Sequence, residues 1–391
     1  MSKKIFIISG EASGDLHGSS LISELKKLIP GVSFTGMGGP LMHSEGLIGL
    51  DSSAIAVVGI IEVAKKLGDI KKAFKRLQQM LEKDSFDCVV LVDYPDFNLR
   101  FAAKAKKLGI PIVYYISPQV WAWRKKRINK IAALVDKMLV VFPFEEELYR
   151  KVGVDVEHVG HPLTEKAVCP LSKEEAARKF EGTGKDAAMA VAILPGSRTE
   201  EVERHLAPMI AAVELVQKRL KTRLKILLPA ARSLDDRIIE KAVKGSTSLV
   251  NIVRGDTYSA LRAADAALVA SGTATLETAL IGTPMVIIYK LSGTTFFIGK
   301  RLIGIKNVGL PNIVAGKTIV TELIQDEATP ENIADELTAL LTNKDKRAAM
   351  QREFKEIKEK LGDGSAATRA ALAITRVLGA DAEVKQETTR P

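Results

Sequence analysis

Along the first half of the chain, short apolar runs alternate with stretches of helical period. Residues 5–9, 32–35, 88–92, 112–116 and 138–142 are nearly continuous apolar runs of strand length. Between them, 16–28, 70–81, 99–108 and 124–134 place apolar side chains every three or four positions, the spacing of one helix face. Continuous apolar runs mark strands covered on both faces, so alternation with helices predicts a parallel sheet between two helical layers. Residues 160–170, with two prolines and little periodicity, read as a linker. The pattern then resumes, with strands predicted at 190–194, 224–228, 249–253, 266–270 and 285–289 and helices at 200–220, 233–243 and 273–281. Three consecutive helical stretches follow at 329–341, 344–361 and 365–378.

This arrangement predicts an α/β protein of two Rossmann-like, doubly wound domains with an interdomain cleft. A chain of 391 residues is too long for one ordinary core. The expected divisions are an N-terminal domain at 1–165, a C-terminal domain at 171–361 and a helix at 362–380 that could pack back on the first domain. A polar tail at 381–391 reads as disordered. Ligands of open α/β sheets bind outside the carboxyl ends of the strands, and a cleft between domains is the usual ligand site.

The composition, 46% hydrophobic and 27% charged, is that of a soluble globular enzyme. Its two cysteines suggest neither a disulfide framework nor a zinc site, and a reducing cytoplasm fits. The apolar run at 5–8 is too short for a signal peptide, and no run approaches the roughly 20 residues of a spanning helix. Charge is uneven. Residues 65–137 hold 17 Lys and Arg against 7 Asp and Glu, an excess equal to the +10 of the whole chain. An apolar stretch at 54–61 precedes Lys65-Lys66, Lys71-Lys72 and Lys75-Arg76, and Trp121-Ala122-Trp123 precedes Arg124-Lys125-Lys126-Arg127. Apolar and indole groups beside clustered cations suit an anionic membrane surface. A solvated helix face with buried tryptophans would read the same way. No nucleic-acid-binding motif accompanies the charge.

The first candidate for chemistry is Val92-Asp93-Tyr94-Pro95-Asp96-Phe97-Asn98, which puts Asp93 at a strand's carboxyl end, before a helix. Asp96 reads as a helix cap; Asp93, placed before the turn, reads as a chemical group. Three further segments have the form strand, small-residue turn, helix: Ser9-Gly10-Glu11-Ala12-Ser13-Gly14-Asp15, Leu194-Pro195-Gly196-Ser197-Arg198-Thr199-Glu200 and Ser271-Gly272-Thr273-Ala274-Thr275-Leu276-Glu277. Glycine permits close backbone approach, and a helix start offers free N–H groups to a phosphate. Arg198 adds a charge-assisted fork. Neither the P-loop nor the dinucleotide fingerprint is present. Glu277 follows Thr273 at i, i+4 on one helix face, where it could accept the hydroxyls of a ribose or stand as a surface charge.

Together these strings closely resemble the lipid-A-disaccharide synthase family, glycosyltransferases of the B fold. The matching segments also include Ser117-Pro118-Gln119-Val120-Trp121-Ala122-Trp123-Arg124, Pro143-Phe144-Glu145, Gly160-His161-Pro162 and Leu310-Pro311-Asn312, in family order. The resemblance implies transfer of a sugar from UDP-2,3-diacylglucosamine to 2,3-diacylglucosamine 1-phosphate (lipid X), with inversion at the anomeric carbon and release of UDP. Inversion requires a single displacement and one general base, for which the resemblance offers Asp93. It implies a nucleotide-sugar site of Gly196, Ser197, Arg198, Gly272, Thr273, Glu277 and Asn312. On the acceptor side it implies Glu11, Ser13, Asn98, Trp123 and Arg124.

No cofactor is expected, and no metal: the five histidines are scattered, and Arg198 at a helix start can meet the leaving diphosphate. His161 reads as structural or polar-lining. The expected partners are the two acylated substrates and an anionic membrane surface, with no nucleic acid and with homo-oligomerisation left open. The expected location is cytoplasmic, peripheral to the inner face of the bacterial inner membrane. The competing readings are another UDP-sugar enzyme of this fold, such as a UDP-GlcNAc epimerase or a soluble glycosyltransferase, or a non-catalytic nucleotide-sugar or nucleic-acid binding module.

Overall fold

A computed structural model of the chain describes residues 2–54, 60–122, 126–181, 189–231, 234–290 and 307–380, with backbone only for 54 and 60–67. The chain divides into two compact units, Met1–Pro162 with Leu361–Pro391, and Leu163–Lys360.

The first unit runs β1 (Lys4–Ser9), α1 (Ala12–Leu28), β2 (Ser33–Gly38), α2 (Pro40–Ser44), β3 (Leu47–Asp51), α3 (Ile60–Lys83) and β4 (Cys88–Val92). It continues with α4 (Pro95–Lys107), β5 (Ile112–Tyr115), α5 (Arg127–Leu134), β6 (Lys137–Val140), α6 (Pro143–Arg150) and β7 (Asp155–His158). The sheet has seven parallel strands in the order β3-β2-β1-β4-β5-β6-β7. β4 is buried at every position, as its apolar run requires. Phe6 and Phe101 stack at 5.4 Å between the sheet and α4. On α3, Leu77 and Leu81 are buried, whereas Lys71, Lys72, Lys75 and Arg76 face solvent.

The second unit runs α7 (Leu163–Lys166), α8 (Lys173–Arg178), β8 (Met189–Leu194), α9 (Thr199–Leu220), β9 (Leu224–Ala230), α10 (Asp236–Val243), β10 (Leu249–Arg254) and α11 (Thr257–Ala263). It continues with β11 (Ala266–Ala270), α12 (Thr273–Ile281), β12 (Met285–Tyr289), α13 (Leu310–Ala315), β13 (Glu322–Ile324), α14 (Pro330–Thr342) and α15 (Lys344–Leu361). Its six strands, also parallel, are ordered β10-β9-β8-β11-β12-β13. The last helix, α16 (Ala366–Val377), packs on α1 in the first unit, where Thr368 Oγ1 donates to Glu24 at 3.0 Å. Arg376 pairs with Glu157 beside β7 at 2.7 Å.

Several elements escape the apolar-run criterion. β3, β7 and β13 stand at sheet edges, where one side needs no cover, so Asp155-Val156-Glu157-His158 reads as polar. The stretch read as a linker contains α7, a single turn whose Leu163 and Thr164 are buried. The helix expected from 124 is described only from Arg127. The apolar stretch at 54–61 falls largely outside the described side chains, and Trp123, Arg124 and the polar tail lie outside the described residues.

Candidate active site

In the first sheet the strand order reverses between β1 and β4, so the loops leaving their carboxyl ends diverge and open a crevice. Ser9 and Val92 are register partners at those ends. The next residues are Gly10-Glu11 on one side and Asp93-Tyr94 on the other.

The Asp93 turn is strained. Asp93 and Tyr94 both adopt left-handed backbone, with φ of 45° and 47°. Such a conformation costs a non-glycine residue about 1–3 kcal/mol, and it persists only where the surroundings impose it. Here they do. The Asp93 carbonyl accepts from Tyr114 Oη at 2.5 Å and from Asn98 Nδ2 at 2.7 Å, while its N–H donates to Tyr115 O at 3.0 Å. Pro95 opens α4 with φ already suited to a helix. The Tyr94 ring stacks on Phe97 at 5.4 Å and lies across Gly10, where a Cβ would sit 2.3 Å from Tyr94 Cδ1. Only glycine fits there.

Burial, and then the negative charge of Glu11, push the Asp93 carboxyl up to about 6, against a smaller opposing hydrogen bond from the Tyr94 N–H. Asp93 does not cap α4, whose N-cap position is held by Tyr94 with no side-chain cap bond. Nor does Asp96, expected as the cap: it sits inside the first turn and pairs with Arg127 at 2.5 Å. That pairing also removes Arg127 from the free basic surface. Asn98, expected on the acceptor side, is fully buried beneath the turn, with Nδ2 bound to the Val92 and Asp93 carbonyls. Its Oδ1, and Ser9 Oγ at the end of β1, are buried with no hydrogen-bond partner among the described residues. Glu11 stands at the N-cap position of α1 without a side-chain cap hydrogen bond and is exposed, as is Ser13. Asp15, not singled out in the sequence, is buried and accepts the Leu41 and Met42 N–H groups at the start of α2 (3.1 and 2.9 Å). His161 is kept neutral, its pKa pushed down to about 3 by burial, and its ring lies 5.0 Å from Phe142.

The second sheet repeats this logic. Its order reverses between β8 and β11, the strands that carry the Pro195–Arg198 and Ser271–Thr273 loops. Gly196 has a φ of 122°, and a Cβ there would lie 2.6 Å from the Glu201 carboxylate. Glu201 accepts the Ser197 and Arg198 N–H groups at 3.0 and 3.3 Å, so this helix start is already capped. Beside it, the Arg198 side chain is 68% exposed and touches Glu201 only at 3.5 Å, which leaves its guanidinium open to an anion. Gly272 and Thr273, at the start of α12, are exposed. Glu277, on the same helix, is no bare surface charge. It accepts from Tyr258 Oη at 3.4 Å, and burial raises its pKa while Lys166 opposes the rise.

Asn312 departs from the sequence expectation. Fully buried, it donates from Nδ2 to Val320 O and Glu322 Oε1 (2.8 and 2.7 Å) and accepts the Ile319 and Val320 N–H groups (2.7 and 2.9 Å). Glu322 in turn receives the Val308 and Gly309 N–H groups, and Ser271 Oγ donates to Val308 O. Asn312 thus fixes the loop beside Ser271 with no hydrogen-bonding position to spare. His205, which nothing in the sequence marked, joins the same edge. Its ring bonds to Pro195 O and accepts from the Lys290 N–H, both at 3.0 Å, bridging the ends of β8 and β12.

A profile of the family described as lipid-A-disaccharide synthetase matches residues 5–375. The chain belongs to this family. The lipid-A-disaccharide synthase of Syntrophus aciditrophicus is 48% identical over 383 residues, covering 97% of this chain and 99% of that one. That of Trichlorobacter lovleyi is 43% identical over 371 residues, covering 94% and 96%. Solved structures show the same fold at low identity. A UDP-GlcNAc 2-epimerase from Neisseria meningitidis bound to UDP-GlcNAc aligns with TM-score 0.65 at 12% identity, covering 95% of this chain and all of that one. MurG of Acinetobacter baumannii aligns with TM-score 0.59 at 12% identity, covering 96% and 100%. Like the other members of its family, the chain is a glycosyltransferase that forms the lipid A disaccharide, and its two parallel α/β units are those of the B fold.

Proposed function

We propose that Asp93 is the general base of an inverting transfer from UDP-2,3-diacylglucosamine to lipid X. The observation that carries this reading is the Asp93 turn: a carboxylate at the switch point of the first sheet, held in a strained conformation, half-buried and with a pKa near 6. A base poised near the working pH combines a large deprotonated fraction with useful proton affinity. In one displacement, Asp93 takes the proton of the acceptor hydroxyl as its oxygen bonds to the anomeric carbon. The bond to the diphosphate breaks, and its electron pair leaves with UDP. Arg198 meets the charge that develops on the leaving group, with the Gly272–Thr273 helix start beside it. Glu277 accepts the ribose hydroxyls. Gly196 and Asn312 shape this nucleotide side from behind, Gly196 by its turn and Asn312 through the Ser271 loop.

On this reading the first unit serves the acceptor, through Glu11, Ser13, Trp123 and Arg124, and the second serves the UDP-sugar. Asn98 supports the acceptor side by holding the Asp93 turn. Product stereochemistry tests the mechanism: proton NMR of the disaccharide made from the α-linked donor should show a β linkage, and an α linkage would contradict a single displacement.

Both substrates carry acyl chains, and no helix among the described residues is long and apolar enough to cross a membrane. We infer peripheral attachment to an anionic bilayer through the exposed cations of α3. Cations near such a surface contribute about 1 kcal/mol each. Replacing Lys71, Lys72, Lys75 and Arg76 with glutamine should release the protein from phosphatidylglycerol vesicles in a flotation assay; unchanged flotation would remove this face from the account.

A further inference from the structure

Beside the Asp93 turn, the loop leaving β5 is held from below by Glu145, a residue that the reaction as described does not use. Glu145 lies in the first turn of α6 and is 1% exposed. One carboxylate oxygen accepts from Trp121 Nε1 at 3.2 Å, and the other accepts from the Phe142 N–H, also at 3.2 Å. Ser117, at the start of the same loop, donates from Oγ to Pro118 O at 3.0 Å and lies 2.8 Å from Tyr149 Oη. The Trp121 indole stands edge-on to Phe144 at 5.4 Å, and Phe144 stacks on Phe142 at 5.5 Å. Burial pushes the Glu145 carboxyl up to about 7. A glutamate that only closes a capping box can stand in solvent, as Glu175 does in α8. Burying one is costly, and here the extra contact reaches across 24 residues to the indole.

That indole belongs to a strained segment. Ile116 is a β-branched residue with a φ of 65°, and its N–H donates to Leu139 O at 3.0 Å. β4 and β5 are neighbours in register, Val92 opposite Tyr115, so the loop starts beside Asp93. It runs in sequence from Trp121 directly to Trp123 and Arg124.

We propose that Glu145 is a positioning residue: through Trp121 it fixes the loop after β5 against the Asp93 turn, and so sets how the acceptor is held. The proposal rests on the reading of Asp93 as the base. Glu145→Gln keeps the side chain's shape, but one of the two accepting oxygens becomes an NH2, which cannot accept from Trp121 or Phe142. Loss of a hydrogen bond to a charged group predicts a rise in acceptor KM of about tenfold. UDP affinity, measured by calorimetry, should not change. Trp121→Phe removes the other partner and should have the same effect, and the double variant should be no worse than the worse single one.

If Glu145→Gln does not fold, Trp121→Phe alone decides. Unchanged acceptor KM in a folded variant, or fully additive losses in the double variant, would overturn the proposal. Asp93→Asn measured alongside separates the two ideas. An active Asp93→Asn variant removes the base, whereas an inactive one together with a normal acceptor KM in Glu145→Gln removes only the positioning role.

Discussion

Glu11 and Asp93 follow the ends of adjacent strands in register, and the charge of Glu11 adds to burial in holding the Asp93 carboxyl up at about 6. A negative charge at the switch point opposes the ionisation of Asp93. The arrangement makes Asp93 a stronger base than a solvated aspartate, at the cost of a charge that the fold does not welcome.

The first consequence is a pH profile. A base must be deprotonated, so kcat/KM should rise with pH through about 6 and level off above it. Glu11→Gln removes the second-largest cause of the raised pKa. The acid limb of that variant should therefore move to lower pH. An acid limb that stayed in place in Glu11→Gln would show that the two carboxylates do not interact.

A second consequence concerns stability. The folded protein holds the Asp93 proton more tightly than the unfolded chain, whose carboxyl titrates near the ordinary 3.8. This group's contribution is therefore most favourable at low pH and is lost as pH rises through about 6. Asp93→Asn carries no charge at either pH. It should raise the thermal unfolding temperature at pH 8 and do so only about half as much at pH 5. Equal shifts at the two values would mean that Asp93 carries no buried charge.

Arg198→Ala tests the nucleotide side. The Ser197 and Arg198 amides are already taken by Glu201, whereas the Arg198 guanidinium is exposed and open to an anion. Losing a charge-assisted contact of about 1.5–3 kcal/mol should weaken UDP binding roughly tenfold or more, with acceptor KM little changed. Calorimetry that found the same affinity in the variant would place the diphosphate elsewhere.

The sequence made the sheets legible because their central strands are apolar throughout, and it made both switch-point loops legible because glycine and proline follow those strands directly. The edge strands β3, β7 and β13 were missed for the opposite reason: β7, for example, is half solvent-facing and carries Asp155, Glu157 and His158. The candidate site was legible where a residue type suggests its chemistry, as at Asp93 and Arg198, the residues proposed above as base and diphosphate contact. It was not legible where the work is done by satisfied polar groups. Asn312 reads as a ligand contact, yet every one of its hydrogen bonds goes to backbone or to Glu322. His205 bonds two strand ends ten and 85 residues away in sequence, a pairing that no local pattern encodes. Glu145 stands in a short string resembling the family, but its partner Trp121 is visible only once β5 and β6 are side by side.

The central claim is that Asp93 takes the acceptor proton, and the most direct measurement is the rate of disaccharide formation by Asp93→Asn at saturating donor and acceptor. The account predicts a loss of about 10²–10⁴-fold, the usual contribution of a general base, with UDP affinity unchanged. Turnover within threefold of the parent enzyme would contradict it.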